Sequence, residues 1–372
     1  MNEAAPHATT LISADSHVFE PAGLWLERTP RKFHDRVPRV VDRDGADIWV
    51  YDDGVTMSLA AFATAGTWKG MTDSQMKMSE IRPALFDPKA RLEETLRDGV
   101  DIEIVYPSYG MPLFGLEDAE LQVALMRAYN DWVIEYCSVA PDRLLPVALI
   151  PTLDLDAGVA EVQRSAKVGF RGVLINAHPK PERDYSKPIY EELWAALAET
   201  ELPASVHLYA GDGPDVSVDR RGGLMCTYSV DPARIQLSLA QMVFSGVFER
   251  HPGLRIVVVE SDVGWVAALL QRMDHVFERK GPRHGVSFKS GLLPSEQFKR
   301  HVSCCFIEDR AGILTLEITG TDMFMWGSDY PHNDSTWPNS IESVDKVFSG
   351  LPDADRRKIL RGNAARLYDL PS

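Results

Sequence analysis

The sequence predicts an α/β fold, a closed (β/α)₈ barrel of the TIM type with a small β-rich insertion after its first strand. Three observations predict it. From about residue 100 onward, short β-rich runs alternate with longer amphipathic ones, the pattern of a parallel sheet joined by helical crossovers. Most of the β-rich runs are continuously apolar, as in strands covered on both faces. With the N-terminal run there are eight, and no GxGxxG follows any of them, so ring closure suits the chain better than an open dinucleotide-binding sheet.

Taken in order, the first strand is residues 11–14, and it delivers Asp15-Ser-His17 to its end. Residues 36–86 break the alternation. Their Asp-Gly turn pairs at 44–45 and 53–54 suit hairpins, and they end in a loop bearing Trp68, Met71, Met76 and Met78. This insertion is expected to lean over one end of the barrel, its Met-rich loop serving as a substrate lid or as a packed or oligomer-facing loop. The next strands are expected at 101–107, 144–151, 172–178, 203–208, 254–260, 301–307 and 323–326. Helices are expected at 88–98, opened by Asp-Pro and closed at Gly99, and at 116–139, 156–168, 189–200, 232–250, 264–279, 310–318 and 353–368. Residues 1–372 are read as one domain containing the insertion.

Composition narrows the function. A hydrophobic content of 45% with 25% charged residues is that of a globular protein with a sizeable core. The net charge of -15 argues against a nucleic-acid or anionic-membrane partner, though a bound cation can still make an anionic substrate welcome. Cys137, Cys226, Cys304 and Cys305 form no CxxC pair or disulfide framework. With no signal-like N-terminus and no apolar run of 18 residues, the cytoplasm is the expected location.

The strand ends carry the chemistry, because in such a barrel they build the active site. Asp15 and His17 stand two apart on a strand, so they share a face, and an oxygen and an imidazole ligand there make half a metal site. Glu20 lies just beyond, His178 ends strand four, His207 lies in strand five, and Glu260 ends strand six with Asp262 near it. Asp329 and His332 follow strand eight in Gly327-Ser-Asp-Tyr-Pro-His332 and are placed to supply the other half. Each has an ordinary reading: a turn or cap for Asp15 and Asp329, a surface loop for His178, a core histidine for His207. Glu260 after three valines is the oddest, since a carboxylate there needs a cation or a hydrogen-bond network. Their joint occurrence at one barrel end outweighs the separate readings.

In that order these residues resemble the amidohydrolase superfamily, and within it the branch of aminocarboxymuconate-semialdehyde decarboxylase and the resorcylate-type decarboxylases. Asp15-Ser-His-Val-Phe-Glu-Pro21, Asn130-Asp-Trp132, Ala140-Pro-Asp-Arg-Leu144, Phe248-Glu-Arg-His-Pro-Gly253, Gly327 to His332 and Gly362-Asn-Ala-Ala-Arg-Leu367 carry the likeness. The resemblance implies one divalent metal on Asp15, His17, His207 and Asp329, with Zn²⁺ the first expectation and Mn²⁺ or Fe²⁺ the others. It implies C–N or C–O hydrolysis or nonoxidative decarboxylation of a small, carboxylate-bearing substrate, Asp329 or Glu260 moving protons, and a homodimer. His178, His332 and Arg221 are then candidates for binding an anionic substrate group. The chain departs from the decarboxylases at Glu260, where they place a histidine. That change leaves His178, Glu260 and His332 available to a second ion, as in the few relatives that hold two iron or manganese ions and activate dioxygen. A non-catalytic subunit paired with an active paralogue in a heteromer is the third reading.

Overall fold

The computed structural model describes residues 10–66, 76–211 and 223–370. Eight parallel strands form the main sheet: β1 (Leu11–His17), β5 (Val100–Tyr106), β6 (Leu144–Leu149), β7 (Gly172–Leu174), β8 (Ala204–His207), β9 (Ile256–Val259), β10 (Val302–Phe306) and β11 (Phe324–Trp326). Each neighbours the next in chain order, and the ring closes where Ser16 bridges Tyr330, with His17 N donating to Tyr330 O at 2.7 Å and Asp329 N to Asp15 O at 2.9 Å. Closure requires close approach. A Cβ on Gly327 would lie 2.5 Å from Asp15 Cβ, so only glycine lets the end of β11 meet β1 here. The strand residues are buried almost without exception, which accounts for their unbroken apolar runs.

Three short antiparallel strands, β2 (Arg39–Arg43), β3 (Ala46–Val50) and β4 (Thr56–Ser58), form a sheet within the insertion. Asp44 and Gly45 both take positive φ, as the two-residue turn between β2 and β3 demands. Trp49 fastens this sheet to the barrel, standing edge-on to Trp25 at 5.2 Å and stacked on Tyr109 at 5.0 Å. Tyr51 Oη donates to Tyr109 O at 2.6 Å, and Ala65 N to Pro331 O at 3.2 Å. The insertion thus grips the loops after β5 and β11, at the C-terminal mouth. Met76 and Met78 are half-buried there; Trp68, Met71 and Arg221 lie outside the described residues.

The helix signals act as the sequence suggests. Asp87, Asp118 and Asp154 cap the helices Pro88–Arg97, Ala119–Cys137 and Leu155–Val168, and Gly169 closes the last in the left-handed conformation. Three expected helices are interrupted. The 310–318 segment divides into Arg310–Leu314 and Leu316–Thr319 at Thr315. The 232–250 segment divides into Pro232–Phe244 and Val247–Arg250 because Gly246 adopts φ +74°. The 353–368 segment widens into a π turn at Lys358–Gly362, after which Asn363 Nδ2 bonds both Thr321 O and Phe324 O at 2.7 Å, tying it to β11. Helices Leu24–Arg28, Ala60–Ala63, Gly223–Val230, Pro294–His301 and Ser340–Val347 have no counterpart among the expected ones. The last begins where Ser340 N finds Asp98 Oδ1 at 2.9 Å, a partner 242 residues away. No helix among the described residues is long and apolar enough to cross a membrane.

Candidate metal centre

All seven residues of β1 are buried, so Asp15 and His17 face the interior with no exposed surface. A buried carboxylate must be compensated. His17 Nε2 lies 3.2 Å from Asp15 Oδ1 and 3.3 Å from Asp329 Oδ1, while His207 Nε2 lies 3.5 Å from Asp15 Oδ1. Glu260 Oε2 is 3.6 Å from His207 Nδ1, and His332 Nδ1 is 2.9 Å from Asp329 Oδ1. Two groups of donors therefore form, Asp15–His17–His207–Glu260 and His17–Glu260–Asp329–His332, each with its ligand atoms within 4.8 Å of one another. They share His17 and Glu260.

The backbone is bent to achieve this. Tyr209, Glu260 and Asp329, just beyond the ends of β8, β9 and β11, take φ of +63°, +53° and +53°. A left-handed non-glycine residue costs about 1–2 kcal/mol and persists where its surroundings over-determine it. At Asp329 they do so through the hydrogen bond its backbone N–H donates to Asp15 O.

The donor atoms pass the test for a cation. Neither carboxylate oxygen of Asp15 or Asp329, nor Nε2 of His17 or His207, has a hydrogen-bond partner of acceptable geometry, although all are buried. The far nitrogens are held instead: Nδ1 of His17 meets Pro107 O at 2.8 Å, and Nδ1 of His207 meets Leu208 O at 2.8 Å. In its neutral form each ring thereby turns an unprotonated Nε2 inward, as metal-ligating histidines do. Imidazole and carboxylate donors suit Zn²⁺, Mn²⁺ or Fe²⁺.

Electrostatics point the same way. Burial would lower the His17 pKa, but Asp15 and Asp329 overcome it and push it up to about 10. Asp15 and Asp329 are held below the usual carboxylate range; burial opposes this, and the neighbouring histidines prevail. Glu260 is pushed well up by burial and by the charges of Asp329 and Asp15. The cluster thus has more negative charge than its own histidines neutralise, and a divalent cation would supply the balance.

The residues singled out from sequence do not all fall together. Asp15, His17, His207, Glu260, Asp329 and His332 converge. His178 belongs to neither donor group; it is buried beside Gly211, where an added Cβ would meet its ring at 2.6 Å. Sequence reading missed Phe62, whose ring stands edge-on to His332 at 4.9 Å, and Ser108, whose Oγ lies 3.0 Å from His332 Nε2. Phe62 comes from the insertion and Ser108 from a loop without a motif, so neither carried a local signal.

Comparison with known proteins bears on this geometry. The amidohydrolase family model matches residues 72–370. Gamma-resorcylate decarboxylase from a Rhizobium species is 26% identical over 326 residues, covering 84% of this chain and 93% of its own length. An amidohydrolase from Mycobacterium avium subsp. paratuberculosis superposes with a TM-score of 0.79 at 23% identity, covering 97% of this chain and 100% of that one. A 5-carboxyvanillate decarboxylase from Novosphingobium aromaticivorans, with bound manganese, gives 0.69 at 17% identity and covers 98% of each chain.

Proposed function

The chain belongs to the amidohydrolase family, and on that premise we propose that it is a divalent-metal-dependent decarboxylase of small aromatic or conjugated carboxylates. The observation that supports this most is the set of buried donor atoms on Asp15, His17, His207 and Asp329 that crowd together at the barrel mouth without a well-formed hydrogen bond. The likeness to gamma-resorcylate decarboxylase over most of both chains favours decarboxylation over hydrolysis.

In this reading Asp15, His17, His207 and Asp329 hold the ion, with Glu260 and His332 at its flank. Such an ion would supply Lewis-acid chemistry, polarising the substrate's carboxylate. Mn²⁺, which one structural relative binds, is to be tried beside Zn²⁺. The chain's own part is proton movement and orientation. Protonation of the carbon that bears the carboxylate, followed by loss of CO₂ with the C–C electron pair returning to the ring, needs an acid next to the substrate. Glu260 and the Asp329–His332 pair would hold that proton and deliver it to the carbon. His178, buried outside both donor groups, is assigned to an anionic substrate group.

The overlap of two donor groups at His17 and Glu260 favours a second reading, a two-ion oxygenase of the same fold. One experiment separates the alternatives. The protein is loaded with Mn²⁺ or Zn²⁺, its metal content is measured, and it is offered hydroxybenzoates, their amides and esters, and dioxygen. We expect one ion per chain and CO₂ released in step with hydroxybenzoate loss, abolished by a chelator. Amide or ester cleavage without CO₂ would replace decarboxylation with hydrolysis. Two iron or manganese ions with dioxygen uptake would favour the oxygenase.

A further inference from the structure

Glu20 has no assigned role above, yet it is fully buried three residues beyond His17. Its carboxylate accepts three consecutive backbone amides: Oε1 from Ser108 N at 3.1 Å and Gly110 N at 2.9 Å, and Oε2 from Tyr109 N at 3.0 Å. Three amides converging on one carboxylate is the geometry of a backbone nest. The turn so gathered supports two of the metal-centre histidines. Pro107 O meets His17 Nδ1 at 2.8 Å, and Ser108 Oγ meets His332 Nε2 at 3.0 Å.

The bond to His332 also has a direction. Ser108 Oγ lies 2.8 Å from Val18 O, and a carbonyl can only accept, so the single hydroxyl proton goes to Val18. For both bonds to form, His332 Nε2 must donate to the hydroxyl. Neutral His332 then presents an unprotonated Nδ1 inward, 2.9 Å from Asp329 Oδ1. Two lone pairs facing each other at that distance repel unless a cation or a proton stands with them. His17, His207 and His332 thus share one plan: the outer nitrogen is held by the protein and the inner one is free for a cation.

We infer that Glu20 is a positioning residue, which folds residues 107–110 into a shelf that orients His17 through Pro107 and sets the tautomer of His332 through Ser108. This rests on the cation-binding reading proposed above. Burial pushes the Glu20 carboxyl up to about 7 against the amides that hold it, so the shelf is also expected to be sensitive to its charge.

The test uses Glu20→Gln and Ser108→Ala. Glutamine has a single acceptor oxygen, so at least one of the three amides loses its partner. Alanine removes only the hydroxyl. Mn²⁺ affinity is measured by competition with a chromogenic chelator, and histidine nitrogen shifts are recorded on ¹⁵N-histidine protein loaded with Zn²⁺. Supporting contacts of ligating histidines contribute roughly 10- to 100-fold in metal affinity. We expect Glu20→Gln to weaken Mn²⁺ binding by that range and to disturb both His17 and His332. Ser108→Ala should shift His332 alone from its Nε2–H form. Should Glu20→Gln not fold, Ser108→Ala decides. Affinity within twofold of wild type with an unchanged His332 signal, in either folded variant, overturns the inference. If wild-type protein bound neither ion, the cation reading would fall instead, and the Nε2–H signal of His332 in the metal-free protein would judge the shelf separately.

Discussion

Gly327→Ala is the sharpest test of how ring closure and the metal centre depend on each other. The new Cβ would lie 2.5 Å from Asp15 Cβ, 2.8 Å from Cys305 Sγ and 3.1 Å from Asp15 N. Carbon atoms pack best at about 3.5–4.0 Å, so roughly 1 Å must be found. Neither neighbour can supply it cheaply. Asp15 is pinned through the bond from Asp329 N to its carbonyl, and Cys305 is paired to Met325 within the sheet. Overpacking of this kind costs about 1–3 kcal/mol. The displacement falls on a proposed ligand, where a shift of ~1 Å reduces rate on the order of 10²-fold. Urea denaturation, Mn²⁺ titration and CO₂ release would read the two effects separately. Adding Cys305→Ala should restore only part of the stability, since the contact with Asp15 remains. A Gly327→Ala protein with an unchanged urea midpoint and Mn²⁺ affinity within twofold would refute the reasoning.

Three further outcomes are expected. Arg91→Met should destabilise by about 3–5 kcal/mol in urea denaturation, because it strands buried Glu103, which Arg91 binds at 2.7 and 3.1 Å while also donating to His17 O at 2.6 Å; Arg91→Met with Glu103→Leu should recover much of the loss. Burial raises Asp98 to about 6, against the bonds from Ser340. Its contribution is therefore fully present below its unfolded value of 3.8 and lost as pH rises through 6, by up to ~3 kcal/mol, so Asp98→Asn should flatten the stability–pH curve over that window and match or exceed wild type at neutral pH. His178→Gln should leave metal content at the wild-type level while raising KM for the carboxylate substrate, whereas His207→Ala should lose the metal; parallel metal analysis and kinetics check both.

Much of the barrel was legible because its causes are local. Continuous apolar runs mark strands buried on both faces, and Asp-Pro, Asp and Gly at the helix ends satisfy or release backbone groups within a few residues. The unanticipated helices are short, eight residues or fewer, so periodicity has little length over which to show. Pro294–His301 has Phe298 as its one large apolar residue, and Ser340–Val347 takes its first-turn partner from Asp98. The break at Gly246 required a choice between helix interior and left-handed turn that periodicity does not make.

For the site, the sequence by itself determined which donors stand at strand ends. Side chains two apart on a strand share a face, and the barrel order brings every strand end to one rim, so Asp15, His17, His207, Glu260 and Asp329 could be named in advance. Their grouping was decided only in three dimensions. Left-handed turns at Glu260 and Asp329 and the close approach at Gly327 bring the donors into two overlapping groups and leave His178 apart from both. Phe62, Ser108 and the grip of Glu20 on residues 108–110 likewise depend on contacts between distant segments. The physical reason is that donor identity and facing follow from local alternation, whereas sub-ångström placement follows from how the closed ring packs.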